Sequence, residues 1–247
     1  MPIYDKPVHQ LMKDMVTEMK LGPGQVLTRE QVVGWFENKY PKVKEGTVTS
    51  HLIRLSMNNA KRFHWSVKPG DDIFFQLGPG RYRLYDPRTD PAPLVEGEKS
   101  LAVPLQQEDE AGEAGTEFAY EHDLRDYLAK NLHLIEPGLK LYQQEDVSGI
   151  EFPAGGRYID LLAVDTSNNY VVIELKVSRG YDRVVGQLLR YVSWIRKHHA
   201  DPGQKVRGVI IGREITEDLR LACCDLLDVK LYEYVMSVAL KSVTAEA

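Results

Sequence analysis

Arg157-Tyr-Ile-Asp160-Leu-Leu-Ala-Val164, then Asp165-Thr-Ser-Asn-Asn169, then Tyr170-Val-Val-Ile-Glu174-Leu-Lys176: two apolar runs flank a cluster of turn formers, which predicts a β-hairpin. Strand side chains alternate between faces, so Glu174 and Lys176 share one face, and Ile173 and Leu175 the other. Burying bare charges in an apolar strand is costly, so that face needs a partner or a metal. Asp160 can bring a second carboxylate to the same place. Two carboxylates and a carbonyl form a hard oxygen set suited to Mg²⁺. A lysine two residues from a metal carboxylate can position a water or hold charge developing on a phosphate.

A helical run follows, with Val184, Val185, Leu188, Val192 and Ile195 facing the sheet, and Arg183, Gln187, Tyr191 and Trp194 on an adjoining stripe. Upstream, residues 117–131 read as a helix with Phe118, Leu124, Leu128 and Leu132 on its apolar side. Leu139 to Glu145 reads as a strand. Downstream, strand 205–211, helix 216–227 and strand 229–235 complete an α/β unit whose strand–helix–strand steps imply parallel pairing. His198 and His199 are expected to form a solvated helix end.

The pattern Asp160…Glu174-x-Lys176 resembles the PD-(D/E)xK nuclease superfamily. Gln187 and Tyr191 resemble the Q-x-x-x-Y element of its RecB-like members. Residues of roughly 117–236 look most like the catalytic domain of NucS-type endonucleases, notably Gly186-Gln-Leu-Leu-Arg-Tyr-Val-Ser-Trp194 and Val206-Arg-Gly-Val-Ile-Ile211. The resemblance implies a restriction-endonuclease-like mixed sheet flanked by helices and metal-dependent hydrolysis of phosphodiester bonds. It implies Asp160, Glu174 and the Leu175 carbonyl as metal ligands. Glu121 is the third acid, with Glu117 as its competitor, Lys176 assists the nucleophile, and Gln187 and Tyr191 support the site.

The chain has 247 residues, 43% of them hydrophobic and 27% charged, a soluble globular composition with room for two domains. No apolar run reaches the length of a membrane span. The N-terminus lacks the apolar core of a signal peptide. Cys223 and Cys224 are adjacent, which favours two reduced thiols over a strained disulfide. A cytoplasmic protein is expected.

The net charge of −5 is unevenly spread: residues 1–85 carry +5, residues 86–117 carry −7 and the remainder −3. The acidic middle, poor in large apolar residues, predicts a flexible linker over 89–116 between a domain at 1–88 and another at 117–247. The first 85 residues read as three helices and a hairpin, the hairpin closed by Gly78-Pro-Gly80. That order resembles a winged helix-turn-helix like those fused to restriction-type nucleases. It implies a recognition helix over 47–59, with Thr47, Thr49, Ser50, His51 and Arg54 exposed to the DNA major groove. Arg81 and Arg83 at the wing, with Lys42 and Lys44, would contact phosphates. NucS-type enzymes carry a strand-rich N-terminal domain instead, so mismatch specificity does not carry over. The expected function is a restriction or defence endonuclease acting on duplex DNA as a homodimer. The alternatives are a structure-specific or mismatch repair endonuclease and a non-cleaving DNA-binding regulator.

Overall fold

The computed structural model describes residues 3–95, 114–176 and 181–235, with side chains from 121 onward in the second span and from 183 onward in the third. Most of the expected linker, including Ser100–Leu105, lies outside the described residues, as does the Glu117 side chain.

The N-terminal unit runs α1 (Val8–Glu18), β1 (Leu27–Thr28), α2 (Arg29–Lys39), α3 (Glu45–Arg54), β2 (Phe74–Gly78) and β3 (Arg81–Leu84). The helices start where the sequence supplies a stop or a cap. Pro7 precedes α1, and Thr28 and Gln31 form a reciprocal capping box on α2. The three strands pair antiparallel in the order β1–β3–β2. Val8, Leu11, Met12 and Met15 of α1 pack with Val32 and Phe36 of α2, Leu52 of α3, and Phe74 and Tyr82 of the hairpin. The third helix is shorter than the 47–59 expected. It ends at Arg54, because Leu55 turns the chain into a bridge between Ser56 and Phe74, and a 3₁₀ turn follows over Ala60–His64.

The C-terminal unit opens with α4 (Ala114–Lys130). Four short or medium strands follow: β4 (Lys140–Leu141), β5 (Gln143–Gln144), β6 (Val147–Ser148) and β7 (Ile150–Ala154). The expected hairpin is β8 (Arg157–Val164) and β9 (Tyr170–Lys176). Then come α5 (Tyr181–His198), β10 (Val206–Gly212), α6 (Glu217–Cys223) and β11 (Val229–Glu233). The main sheet runs β11–β10–β9–β8–β4, with β7 also pairing with β8. Strands β9, β10 and β11 are parallel and β8 is antiparallel to β9, so the sheet is mixed as expected. The strand expected over Leu139–Glu145 is broken into β4 and β5, and β7 had no sequence signal because Pro153 interrupts it.

Strand β9 is central, and Val171, Val172, Ile173 and Leu175 are all buried, as a strand covered on both faces requires. Leu124 and Leu128 of α4 cover one face of the sheet. Val184, Leu188, Val192 and Ile195 of α5 cover the other. Gly208 lets α5 come close: a Cβ there would stand 2.6 Å from Leu188 Cδ2.

The two units are not independent. Ile53 and Trp65 from the N-terminal unit belong to the same buried cluster as Phe152, Leu188 and Tyr191 of the C-terminal unit. Trp65 Nε1 donates to the Ser148 carbonyl (3.2 Å), and Thr47 Oγ1 donates to Gln144 Oε1 (2.6 Å). Charged pairs Lys68–Asp146 (2.7 Å), Lys44–Asp201 (2.8 Å) and His198–Glu45 (3.0 Å) close the rim.

This packing corrects the expected recognition helix. Thr47, Ser50, His51 and Arg54 are fully buried and Thr49 nearly so, because α3 lies against β7 and β6 of the C-terminal unit. None is presented to solvent. Arg54 instead makes a buried ion pair with Asp71 (2.6 Å), approaches Asp146 (3.5 Å) and donates to the Ser66 carbonyl (2.8 Å). Arg83 does not reach outward either; Asp90 holds its guanidinium (2.6 Å for Nη1), over the Phe75 ring. Lys44 is tied to Asp201. Lys42 and Arg81 are exposed as expected. The histidines at the end of α5 are not a solvated cap. His199 is buried among Tyr142, Phe152 and Tyr170, and His198 stacks on Trp194. Both cysteines are free thiols, Cys223 buried and Cys224 exposed.

Candidate active site

The pairing of Leu161 with Ile173 fixes the register of β8 and β9, and one step along it Asp160 stands opposite Glu174. Glu174 is buried and Asp160 half-buried. Asp160 Oδ2 accepts the Leu175 backbone N–H (2.8 Å), and Glu174 Oε1 accepts from Gln187 Nε2 (2.5 Å). The second oxygen, Glu174 Oε2, is buried and has no hydrogen-bond partner among the described residues.

Burial pushes the Asp160 carboxyl up to about 6, against the opposing Leu175 hydrogen bond. Glu174 is raised well above the usual carboxylate range by burial and then by the neighbouring charge of Asp160, with Lys176 acting in the opposite direction. Two adjacent acids that resist ionising together are a site short of positive charge. Lys176 follows Glu174 on the same strand face and supplies part of it.

Gln187 and Tyr191 are one turn apart on α5, and their side chains meet (Nε2 to Oη 3.4 Å), with Tyr191 buried. Through Gln187 this pair contacts Glu174. Glu121 of α4 is half-buried and lies near enough to Glu174 to raise its pKa. The structure therefore brings Asp160, Glu174, Lys176, Gln187, Tyr191 and Glu121 into one region. The DNA-reading set on α3 lies elsewhere, buried between the units.

Sequence reasoning missed Glu151. The pairs Ile150–Leu161 and Phe152–Ile159 set it opposite Asp160 on the side away from Glu174. Its carboxylate gathers Arg125 of α4 (2.5 Å), Lys61 (2.5 Å) and His64 (3.2 Å). Burial pushes this carboxyl up, but the His64 hydrogen bond and the charges of Lys61, His64 and Arg125 outweigh it and hold the group well below its ordinary value. The only available hint was a lone acid inside the apolar run Ile150-Glu-Phe-Pro-Ala154.

A hard divalent cation fits the donor set at Asp160 and Glu174. The unpartnered Oε2 and the raised carboxyls both ask for a cation. Among the described residues, no three His, Cys, Asp or Glu side chains converge to hold a metal by themselves. An ion here would rest on Asp160, Glu174, the Leu175 carbonyl and water, a set that suits Mg²⁺ because it keeps several waters.

The C-terminal unit, a mixed sheet between α4 and α5 with Asp, Glu and Lys grouped on two adjacent strands, resembles the PD-(D/E)xK, restriction-endonuclease-like class of domains. More particularly, residues 120–230 match the family model of the Endonuclease NucS C-terminal domain. Residues 7–84 match a domain of unknown function (DUF7669). Endonuclease NucS of Pyrococcus furiosus is 34% identical over 97 residues, covering 39% of this chain and 33% of that protein. Endonuclease NucS of Bifidobacterium animalis subsp. lactis is 31% identical over 133 residues, covering 51% of this chain and 53% of that protein. The chain thus spans a third to about half of the length of these relatives. Among solved structures, a repair endonuclease from Pyrococcus abyssi matches at 25% identity and a TM-score of 0.37, covering 53% of this chain and 50% of that one.

Proposed function

We propose that this chain is a metal-dependent endonuclease that hydrolyses phosphodiester bonds in DNA. The observation that carries the reading is the pairing of half-buried Asp160 with buried Glu174, whose second oxygen is unpartnered, beside Lys176. The similarity of residues 120–230 to the NucS C-terminal domain supports it. Asp160, Glu174 and the Leu175 carbonyl hold Mg²⁺ or Mn²⁺, with Glu121 acting directly or through water. Such an ion, when bound, polarises the scissile phosphate and lowers the pKa of water. Lys176 positions the attacking water and holds charge developing on the phosphate. Gln187 and Tyr191 keep Glu174 in its rotamer.

The N-terminal order of three helices and a hairpin is read as a winged helix-turn-helix. Its third helix is buried, so sequence readout through α3, on which a restriction or defence role would rest, has no support from this arrangement. Recognition of DNA shape fits better, because a buried helix cannot reach base edges. Cutting both strands needs two such sites, so a homodimer on DNA is part of the proposal.

The test is cleavage of duplex, modified duplex, branched and single-stranded DNA with Mg²⁺ and with excess chelator. Metal-dependent cuts, strongest on branched or distorted DNA, are expected. Cleavage that survives chelation would sink the assignment. Sedimentation on uncut duplex reads the dimer.

A further inference from the structure

A cavity of about 260 Å³ opens between the two units, walled by α2, α3 and the β2–β3 hairpin on one side and the β7–β8 turn on the other. Three guanidinium groups converge on it from separate elements: Arg29 at the start of α2, Arg81 on β3 and Arg157 on β8. Arg29 has an acidic neighbour, Glu30 (3.1 Å). Arg81 and Arg157 are exposed, and among the described residues neither forms an ion pair. Glu30 lines the cavity as well, so its walls carry a surplus of two positive charges, which a bound anion would offset. The floor is not purely apolar, since Thr49 and Gln76 contribute polar side chains.

One wall of the cleft belongs to β8, the strand that carries Asp160. Tyr158 lines it and sits two residues before Asp160 on the same strand face, about 7 Å along β8. At about 3.4 Å of rise per nucleotide, that is a step of about two nucleotides along a duplex. Lys61 continues the basic track, lying 3.8 Å from the centre of the Tyr158 ring and pairing with Glu151 beside Asp160.

We infer that this cleft seats the phosphodiester backbone of DNA, held by Arg29, Arg81 and Arg157, with the strand continuing over Tyr158 to Asp160 and Glu174. Guanidinium forks match phosphate oxygens two at a time, which is why arginine rather than lysine suits the role. The N-terminal unit then contributes charge to substrate binding through the hairpin and the start of α2, and not through an α3 laid in the major groove. That the anion is DNA backbone, and the direction in which the strand continues, rest on the nuclease reading above; the gathering of three arginines at the cavity does not.

The experiment is anisotropy of a labelled DNA duplex titrated with the full chain in EDTA, across a salt series. Arg81→Ala combined with Arg157→Ala should weaken binding at least tenfold at low salt. It should also flatten the salt dependence by about two, one for each lost phosphate contact. Both side chains are exposed, so the melting temperature should be unchanged. Arg81→Lys with Arg157→Lys should recover most of the salt slope but not all of the affinity. Wild-type affinity and slope in the alanine variant would overturn the inference, as would a wild-type chain that fails to bind the duplex at low salt. Because the assay needs no cleavage, lost binding in the variant together with an inactive wild type sinks only the nuclease reading. Unaltered binding together with an active wild type sinks only the cleft.

Discussion

Gly46 of α3 lies directly against the ring of Phe152 on β7: a Cβ at Gly46 would stand 2.6 Å from Phe152 Cζ and 3.3 Å from His199 Nδ1. The ring is fully buried and has no room to retreat. Gly46→Ala should therefore cost about 1–3 kcal/mol by overpacking, although alanine is the better helix former. For a chain of this size that lowers the melting temperature by roughly 2–4 °C per kcal/mol. A melt equal to or above wild type would show that the two units do not dock as described.

Arg54 tests whether α3 is structural or reads DNA. Its pairing with Asp71 is fully buried, and removing one partner strands the other's charge. Arg54→Ala should cost about 3–5 kcal/mol, read by urea unfolding. Where the variant remains folded, duplex preference should be unchanged. A normal stability with altered DNA preference would restore α3 as a reader.

The same shared core bears on truncation. Deleting residues 1–90 removes Ile53 and Trp65 from a cluster that includes Phe152, Leu188 and Tyr191. The remaining fragment should be poorly folded, with exposed apolar surface that binds ANS. A cooperative melt of the fragment near the full-chain temperature would contradict this.

Acid should loosen the same contact. Burial holds His51 and His199 at about 3, so both are neutral when folded. Their folded values lie below the unfolded value near 6.5, so the unfolded chain binds more protons between these limits. The stability they allow is complete above about pH 6.5 and is lost as pH falls toward 3. At pH 5.5 each costs roughly 1.4 kcal/mol. Carboxyls raised by burial act the other way over this interval, so the variant is the readout: between pH 7.5 and 5.5, His199→Phe should lose about 1.4 kcal/mol less stability than wild type. An equal drop in that variant would acquit His199.

Asp160 titrates in the opposite sense. Its folded value of about 6 lies above the unfolded value of about 3.9. Its contribution is present below pH 4 and lost as pH rises through 6. In chelator at pH 8, Asp160→Asn should therefore melt above wild type, the difference shrinking by pH 5, while cleavage is abolished. Lys176→Ala should also abolish cleavage. A folded Lys176 variant with full activity would remove lysine from the mechanism.

Continuous apolar runs and turn formers set the β8–β9 hairpin, and the alternation of a strand's faces sets the side of its acids whatever surrounds it. The amphipathic spacing of α5 likewise put Gln187 and Tyr191 one turn apart. These features are local, so the sequence alone determined them. Glu151 was not legible, because its place beside Asp160 depends on β7 pairing with β8 through a segment broken by Pro153. The fate of α3 was not legible either. Thr47, Ser50, His51 and Arg54 are polar, and local rules assign polar residues to solvent. Only the docking of β7 onto that helix made them interior, with Asp71, Asp146 and Gln144 meeting polar groups that water would otherwise hold. Which charges remained outside, Arg81 and Arg157 among them, was decided by that same docking.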